Sequence, residues 1–204
     1  MIRVLQTSFE NAAESLEFEQ NQLEPEALHI WESPRYSVVL GHSGKAEKEV
    51  DLAACQHDGI PVVRRSSGGG TVLIGPGCLN YALLLSLEAR PQLHDVRRSF
   101  CLLLSSLATT LNLQVRGLSD LAQGDRKVSG NAQRRTRHTL LHHGTLLNNF
   151  DLALIGRYLR EPIRQPDYRR SRTHEAFLQN LHFDPSELKN RVISAFRETL
   201  SSSF

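Results

Sequence analysis

Three consecutive glycines, Gly68-Gly69-Gly70, stand between two segments that otherwise read as β-structure. Upstream, Pro61 leads into the β-branched pair Val62-Val63, and downstream Thr71-Val72-Leu73 resumes extended character. Glycine loses more conformational freedom on folding than any other residue, so such a run is costly in chain entropy and needs a compensating reason. The pattern over Arg64-Arg65-Ser66-Ser67-Gly68-Gly69-Gly70-Thr71-Val72 predicts a glycine hairpin. Without β-carbons, main-chain N–H groups can approach a phosphate or carboxylate closely and form an anion-binding nest, and the two arginines would neutralise the same charge. A tight hairpin whose glycines only satisfy positive φ, with both arginines in water, is the alternative that this loop alone leaves open. The run has neither the Gly-Lys-Ser/Thr ending of a Walker A loop nor the G-x-G-x-x-G of a dinucleotide fingerprint.

Two further runs carry candidate chemistry. In Asp125-Arg126-Lys127-Val128-Ser129-Gly130-Asn131-Ala132-Gln133, Lys127 opens a short extended stretch ahead of small residues. A lysine there is a mobile point charge that can reach over a ligand, and Ser129, Gly130 and Ala132 leave room for something flat or phosphorylated; an exposed strand lysine is the plainer alternative. In Leu140-Leu141-His142-His143-Gly144-Thr145-Leu146-Leu147 the adjacent histidines fall on opposite faces of a strand. They are poorly placed to share one metal, and at most one of them meets a ligand pocket.

The 204 residues suffice for one sizeable α/β domain, and neither a repeat nor a low-complexity linker suggests a boundary within 1–204. Hydrophobic residues at 40% and charged residues at 23% exclude disorder and fibrous repeats. Net charge is only +2, although basic residues cluster at 64–65, 97–98, 134–137 and 169–172, a distribution that suits anionic ligands or plain solvated surface. With few aromatics, this balance argues against a nucleic-acid binder. The N-terminal stretch turns polar and acidic at once, which predicts no signal peptide, no membrane span and a cytoplasmic location. Cys55, Cys78 and Cys101, odd in number and without C-x-x-C spacing, argue against a disulfide framework or a zinc site and fit a reducing compartment.

Apolar periodicity predicts helices over 11–23, 50–57, 100–111 and 152–159, and strands over 28–31, 36–40, 79–85, 113–116, 126–129 and 139–147. Asp184-Pro185-Ser186-Glu187 is a helix start, with a capping side chain, proline at the first helical position and glutamate three after the cap. Cys101 and Cys55 read as buried fillers of their helices.

Taken together and in order, the three runs resemble the lipoate-protein ligases, within the wider biotin and lipoate ligase catalytic fold. That family shows Arg-Arg-x-Ser-Gly-Gly-Gly, then Arg-Lys-Val/Ile-Ser/Ala-Gly-x-Ala, then His-His-Gly-Thr-Leu-Leu, and this chain has all three, the likeness running from about Trp31 to about Leu181. The resemblance implies an α+β fold, a mixed and largely antiparallel sheet flanked by helices, forming one catalytic domain over 1–204 without the C-terminal accessory domain of better-known ligases. It implies ATP, Mg2+ and lipoate: lipoate is activated to lipoyl-AMP, and the acyl group passes to a lysine of a lipoyl-carrier domain protein. Lys127 would contact the acyl carbonyl and the phosphate. Arg65, Gly69, Gly70, Thr71, Val72, Leu73 and Asp120 would hold the adenylate, and Trp31, Arg65, Gly70, Lys127 and His143 the lipoyl group. Which residues would hold the metal is left open, and a separate accessory-domain protein is a possible partner.

Departures from the family pattern matter. Better-known ligases continue from the glycine loop with Val-Phe-His-Asp, where this chain has Val72-Leu73-Ile74-Gly75, and with a Gly-Asn pair, where it has Gly77-Cys78. An imidazole and a carboxylate are thereby missing. Two rival activities follow: an ATP-independent octanoyl or lipoyl transferase using the thiolate of Cys78, and a non-catalytic module that holds lipoyl carriers or lipoyl-AMP.

Overall fold

The computed structural model describes residues 2–201. In chain order the elements are β1 (Arg3–Gln6), α1 (Ala12–Asn21), β2 (Ala27–Trp31), β3 (Ser37–Leu40), α2 (Ala46–Glu49), α3 (Leu52–Asp58), β4 (Val62–Arg64), β5 (Val72–Ile74) and β6 (Cys78–Ser86). There follow α4 (Val96–Leu111), β7 (Gln114–Arg116), β8 (Asp120–Gln123), β9 (Arg126–Arg135), β10 (Thr139–Leu147), α5 (Ala153–Tyr158), α6 (His174–Phe177) and α7 (Pro185–Ser201). A seven-stranded sheet runs in the order β1-β2-β6-β10-β9-β8-β7, and a three-stranded sheet in the order β4-β3-β5. All pairings are antiparallel except β1 with β2 and β3 with β4, so the architecture is the mixed, largely antiparallel α+β arrangement expected. No helix among the described residues is long and apolar enough to cross a membrane.

One face of the large sheet is covered by α4 and α7. Phe100, Leu103, Leu104, Leu107 and Leu111 of α4 recur at helical spacing and meet Leu188, Val192 and Phe196 of α7 over Leu83, Leu85 and Leu140 of the sheet. Asp95 caps α4 by accepting from Arg98 N at 2.7 Å, and Asp184 caps α7 by accepting from Ser186 N at 2.9 Å and Glu187 N at 3.1 Å. Cys101 is exposed, against the expectation of a buried filler, because it sits one residue, about 100° of helix rotation, from the stripe around Phe100 and Leu104.

The small sheet corrects the glycine hairpin. β4 and β5 do not pair with each other; β3 lies between them, parallel to β4 and antiparallel to β5. The contacts that decide this are Arg65 N to Leu40 O at 3.0 Å and His42 N to Ser67 O at 2.8 Å, which extend the β3 and β4 pairing into the loop. The glycine run therefore crosses over the end of β3. Gly69 takes φ of 90°, and a β-carbon on Gly41 would stand 2.1 Å from Gly69 O, so the crossing needs glycine on both strands of chain. β9 is also longer than expected, continuing beyond Ser129 through Gly130-Asn131-Ala132-Gln133 because every residue there is laddered to β10. The expected helix over 50–57 is α3, which starts two residues later behind its Asp51 cap, and the short helix α2 ahead of Val50 was not expected.

Leu104→Ala removes a side chain with no exposed surface and should cost about 2–5 kcal/mol of stability. Val96→Ala, at a residue 44% exposed on the same helix, should cost under about 0.5 kcal/mol, and urea unfolding of both variants checks the contrast.

Candidate active site

Between the two sheets lies a cavity of about 1020 Å³. Its walls include Trp31 at the end of β2, the loop from Gly68 to Leu73, Asp120 of β8, Lys127 of β9 and His143 of β10. Every residue that the resemblance assigns to the adenylate or to the lipoyl group therefore lines one space, Arg65 among them. The rim is completed by the segment 159–178, which bridges β9 where Gln179 N donates to Lys127 O at 2.9 Å.

Lys127 is held at its side chain as well as at its backbone. Its Nζ stands 2.8 Å from Asp120 Oδ1, and the other oxygen of Asp120 accepts from Tyr168 Oη at 2.8 Å. Burial, and then the Asp120 carboxylate, push the Tyr168 phenol far above its ordinary range, so it remains a neutral donor. The lysine stem lies across Gly130, where a β-carbon would come within 3.0 Å of Nζ. One bond partner further along β9, Asn131 donates through Nδ2 to Ser119 O at 2.9 Å and accepts from Tyr81 Oη, which fixes the strand end that carries Asp120. Gly144 makes that junction possible, since a β-carbon there would meet Asn131 Oδ1 at 2.0 Å.

The arginines act differently from the expectation. Arg64 is absent from the cavity wall; its guanidinium donates to the carbonyls of Gly41, His42 and Gly44 at 2.8–3.0 Å and ties down that turn. Arg65 is buried and donates to Gly68 O at 2.7 Å, Gly70 O at 2.8 Å and Ser67 Oγ at 3.0 Å. Arg64 thus fixes the 41–44 turn and Arg65 shapes the glycine loop from behind, because a planar fork of donors matches several carbonyls at once. Burial pulls the Arg65 guanidinium down to about 10, opposed by Glu49. Among the described residues no protein acceptor takes the N–H of Gly68, Gly69 or Gly70, and β-carbons on Gly68 and Gly70 would meet open space. Thr71 Oγ1 donates to Glu49 Oε2 at 2.5 Å, and Leu73 turns into the core of the small sheet.

Behind the cavity runs a buried polar chain that the sequence did not disclose. Trp31 Nε1 donates to Glu19 Oε1 at 2.7 Å, His143 Nδ1 lies 3.0 Å from Glu19 Oε2, and His143 Nε2 lies 2.6 Å from Ser67 Oγ. His29 Nδ1 lies 3.6 Å from Glu19 Oε1, beyond hydrogen-bond distance. Burial alone would raise the Glu19 carboxyl, but His143, His29 and Trp31 converging on it outweigh that and hold it at about 2. His142 points the other way, against Phe100 and Tyr81, and burial, then the neighbouring His143 and Arg135, push it down to about 3. The opposite-face reading of the histidine pair holds.

Cys78 is 1% exposed, and burial pushes its thiol up to about 12 against a backbone bond from Gly75. No cysteine is among the described residues that line the cavity. At the departures from the family pattern, Ile74 packs with Trp31, Ala12 and Val39, and Gly75 lies flat under the Tyr36 ring. No group of three or more His, Cys, Asp or Glu side chains suited to a metal occurs among the described residues. The carboxylates on the wall, Glu19, Glu49, Asp120 and Glu161, are each engaged by protein donors.

Glu19, Ser67, Tyr168 and Asn131 were missed as site residues. Ser67 and Asn131 stood inside runs already singled out, where their polarity was the available signal. Glu19 is one of four glutamates in a ten-residue stretch, and nothing local separates it from Glu10, Glu14 and Glu17.

A family model described as the lipoyl protein ligase A/B catalytic domain matches residues 7–197. Among solved structures, one chain of an archaeal bi-partite lipoate protein ligase from Thermoplasma acidophilum, studied with its E2 lipoyl domain, is 24% identical, with TM-score 0.82 over 100% of this chain and 85% of that one. A lipoate-protein ligase A bound with ATP is 24% identical, with TM-score 0.76 over 98% of this chain and 85% of that one. The biotin protein ligase of Aquifex aeolicus is 12% identical, with TM-score 0.52 over 98% of this chain and 69% of that one. At these identities the likeness to solved structures establishes the fold, which is that of biotin and lipoate ligase catalytic domains.

Glu19 supplies a pH dependence with a definite sign. Its carboxyl is held near 2 against an ordinary 4.5, so the stabilisation is present above 4.5 and is lost as pH falls towards 2. On the order of 3 kcal/mol should disappear across that window. Thermal melts between pH 5 and pH 2.5 should show the loss in the wild type and a flatter profile in Glu19→Gln.

Proposed function

From the premise that this chain belongs to the lipoyl protein ligase A/B catalytic-domain family, we propose that it activates lipoate with ATP and passes the lipoyl group to a lysine of a lipoyl-carrier domain. The observation that carries the proposal is the convergence of Lys127 and the glycine loop, distant in sequence, onto one cavity. In the first stage a lipoate carboxylate oxygen attacks the α-phosphorus of ATP and pyrophosphate leaves. In the second, the carrier's amine attacks the carbonyl of the mixed anhydride, an amide forms, the amine gives up a proton and AMP leaves.

Lys127 is assigned the catalytic role: its ammonium would polarise the acyl carbonyl and stabilise charge gathering on the α-phosphate. The N–H groups of Gly69 and Gly70, unclaimed by protein acceptors among the described residues, would meet phosphate oxygens, with Thr71, Val72 and Leu73 continuing the nucleotide wall. Trp31 and His143 would border the acyl chain, and Arg65 would hold the shape of the loop around it. Asp120 would act by keeping Lys127 in place. Because the wall carboxylates are already engaged, Mg2+ would be held chiefly by phosphate oxygens and water, the usual habit of that ion.

Two observations bear on the alternatives. A thioester route needs an accessible thiolate, and the burial of Cys78 outside the cavity wall favours adenylation. The T. acidophilum relative is bi-partite, which supports a separate accessory protein as a partner here.

Incubation of the pure protein with ATP, Mg2+ and lipoate, followed by mass spectrometry, should reveal lipoyl-AMP; its absence, with accessory protein supplied, refutes the reading. Lys127→Ala should lower ATP-pyrophosphate exchange by 100-fold or more, about 2.7 kcal/mol or more of transition-state stabilisation, with the melting profile preserved. Normal exchange in that variant contradicts the assigned role.

A further inference from the structure

The buried chain behind the cavity has a fixed direction. Arg65 Nε–H can only donate, and it donates to Ser67 Oγ at 3.0 Å. Ser67 is 1% exposed, and among the described residues its own hydroxyl proton has one acceptor within reach, His143 Nε2 at 2.6 Å. An Nε2 that accepts belongs to a neutral imidazole whose proton is on Nδ1, and that N–H points at the Glu19 carboxylate 3.0 Å away, which only accepts. Any other assignment leaves the hydroxyl proton of a buried serine without a partner, a loss comparable to a broken hydrogen bond.

We propose that Glu19 is a positioning residue that selects the Nδ1–H tautomer of His143 and, through Ser67 and Arg65, sets the shape of the Gly68–Gly70 loop. The inference rests on the adenylation reading only for its effect on activity. Glu19 lies on α1, Ser67 and Arg65 follow β4, and His143 lies on β10, so three separate parts of the chain must agree on one proton arrangement. At the far end Arg65 donates to Gly68 O and Gly70 O, the carbonyls on either side of Gly69. Glu19 itself is turned by Trp31, whose Nε1–H occupies the other carboxylate oxygen.

Glu19→Gln is the discriminating change because it keeps shape and removes only the acceptor. Trp31 Nε1–H can only donate, so the new carboxamide oxygen must face Trp31 and the NH2 group must face His143 Nδ1. His143 is then driven to the Nε2–H tautomer, which can no longer accept from Ser67. Nitrogen-15 correlation spectra of the imidazoles, with the His143 signal identified by its loss in His143→Gln, should show Nδ1–H in the wild type and Nε2–H in Glu19→Gln. Amide exchange at Gly68, Gly69 and Gly70 should change at the same time.

In the ATP-pyrophosphate exchange assay kcat should fall roughly 10- to 100-fold, the scale of a charge-assisted hydrogen bond, while KM for lipoate stays within about threefold. Ser67→Ala cuts the chain in the middle: His143 should keep Nδ1–H, yet kcat should fall as in Glu19→Gln. An unchanged tautomer in Glu19→Gln overturns the proposal, as does a raised KM with kcat intact, which would make Glu19 a simple pocket wall. Wild-type kcat in Ser67→Ala overturns it too. If the wild-type protein forms no lipoyl-AMP, the functional reading fails alone, and the tautomer and exchange measurements still decide this inference.

Discussion

Taking a carboxylate out of water costs several kcal/mol even after the protein relaxes, and Glu19 meets that cost at 4% exposure behind the cavity. What offsets the desolvation is the convergence of Trp31, His143 and His29 from two strands of the large sheet onto one helix side chain. The requirement runs both ways. Helix α1 must dock where those rings are, and Trp31 and His143, which bond the carboxylate, must keep the orientations that it imposes. Ala12 and Leu16 of α1 pack with Trp31, Val39 and Ile74, so the apolar contacts of that helix and its buried charge fix the same placement. Through Ser67 and Arg65 the placement reaches the glycine loop, which has no hydrophobic side chain of its own to hold it.

The two sheets divide the work. The large sheet, backed by α4 and α7, supplies rigid strands on which Lys127, Asp120 and His143 have set positions. The small sheet supplies a crossing loop that lines the same space and whose N–H groups have no protein acceptor among the described residues. Glycine serves different ends in the two. At Gly69 it permits a left-handed backbone; at Gly144 it removes a β-carbon from the path of Tyr81 and Asn131. The segment 159–178 closes the rim by burying Leu159, Phe177 and Leu178 in the core beside the small sheet, with Arg169 and Arg172 over the Phe177 ring and Arg172 bonded to Asp125 and Tyr168 O. Arg170 and Ser171 adopt φ of 51° and 56° there, a local strain that these flanking bonds hold in place.

How much of this was legible depended on whether a residue's role was local or set by its partners. Local signals read well: the α4 stripe, the Asp184 cap and the two faces of His142 and His143 follow from periodicity that a single segment contains. The glycine run announced a special backbone but not its path, because a loop that joins neighbouring strands and one that crosses a third have the same composition. Only the pairing of Leu40 with Arg65 and of His42 with Ser67 distinguishes them. β9 was cut short for a similar reason, since Gly130-Asn131-Ala132 has little strand propensity and is extended by its ladder to β10. Glu19 was invisible because its meaning comes from residues 12, 48 and 124 positions away.

The distribution of cations around the cavity follows from what each side chain can do. Arg65 offers a planar fork that can satisfy several carbonyls simultaneously, and all of its reach is used inside the protein. Lys127 offers a compact charge on a flexible stem, held by one carboxylate that Tyr168 also engages. Between the loop and β9, Lys127 is thus the cation an incoming anion can recruit and Arg65 the one that shapes the surface, while Lys45, Lys48, Arg116, Arg160 and Arg164 add charge elsewhere on the wall. Interchanging them would fail at 65, and at 127 the lysine stem uses the space that Gly130 leaves open, where a β-carbon would stand 3.0 Å from Nζ. An ammonium at 65 could not span the carbonyls of Gly68 and Gly70 together with the Ser67 hydroxyl. The order arginine in the loop and lysine on the strand is thus the arrangement in which a rigid cradle and a mobile charge coexist around one cavity.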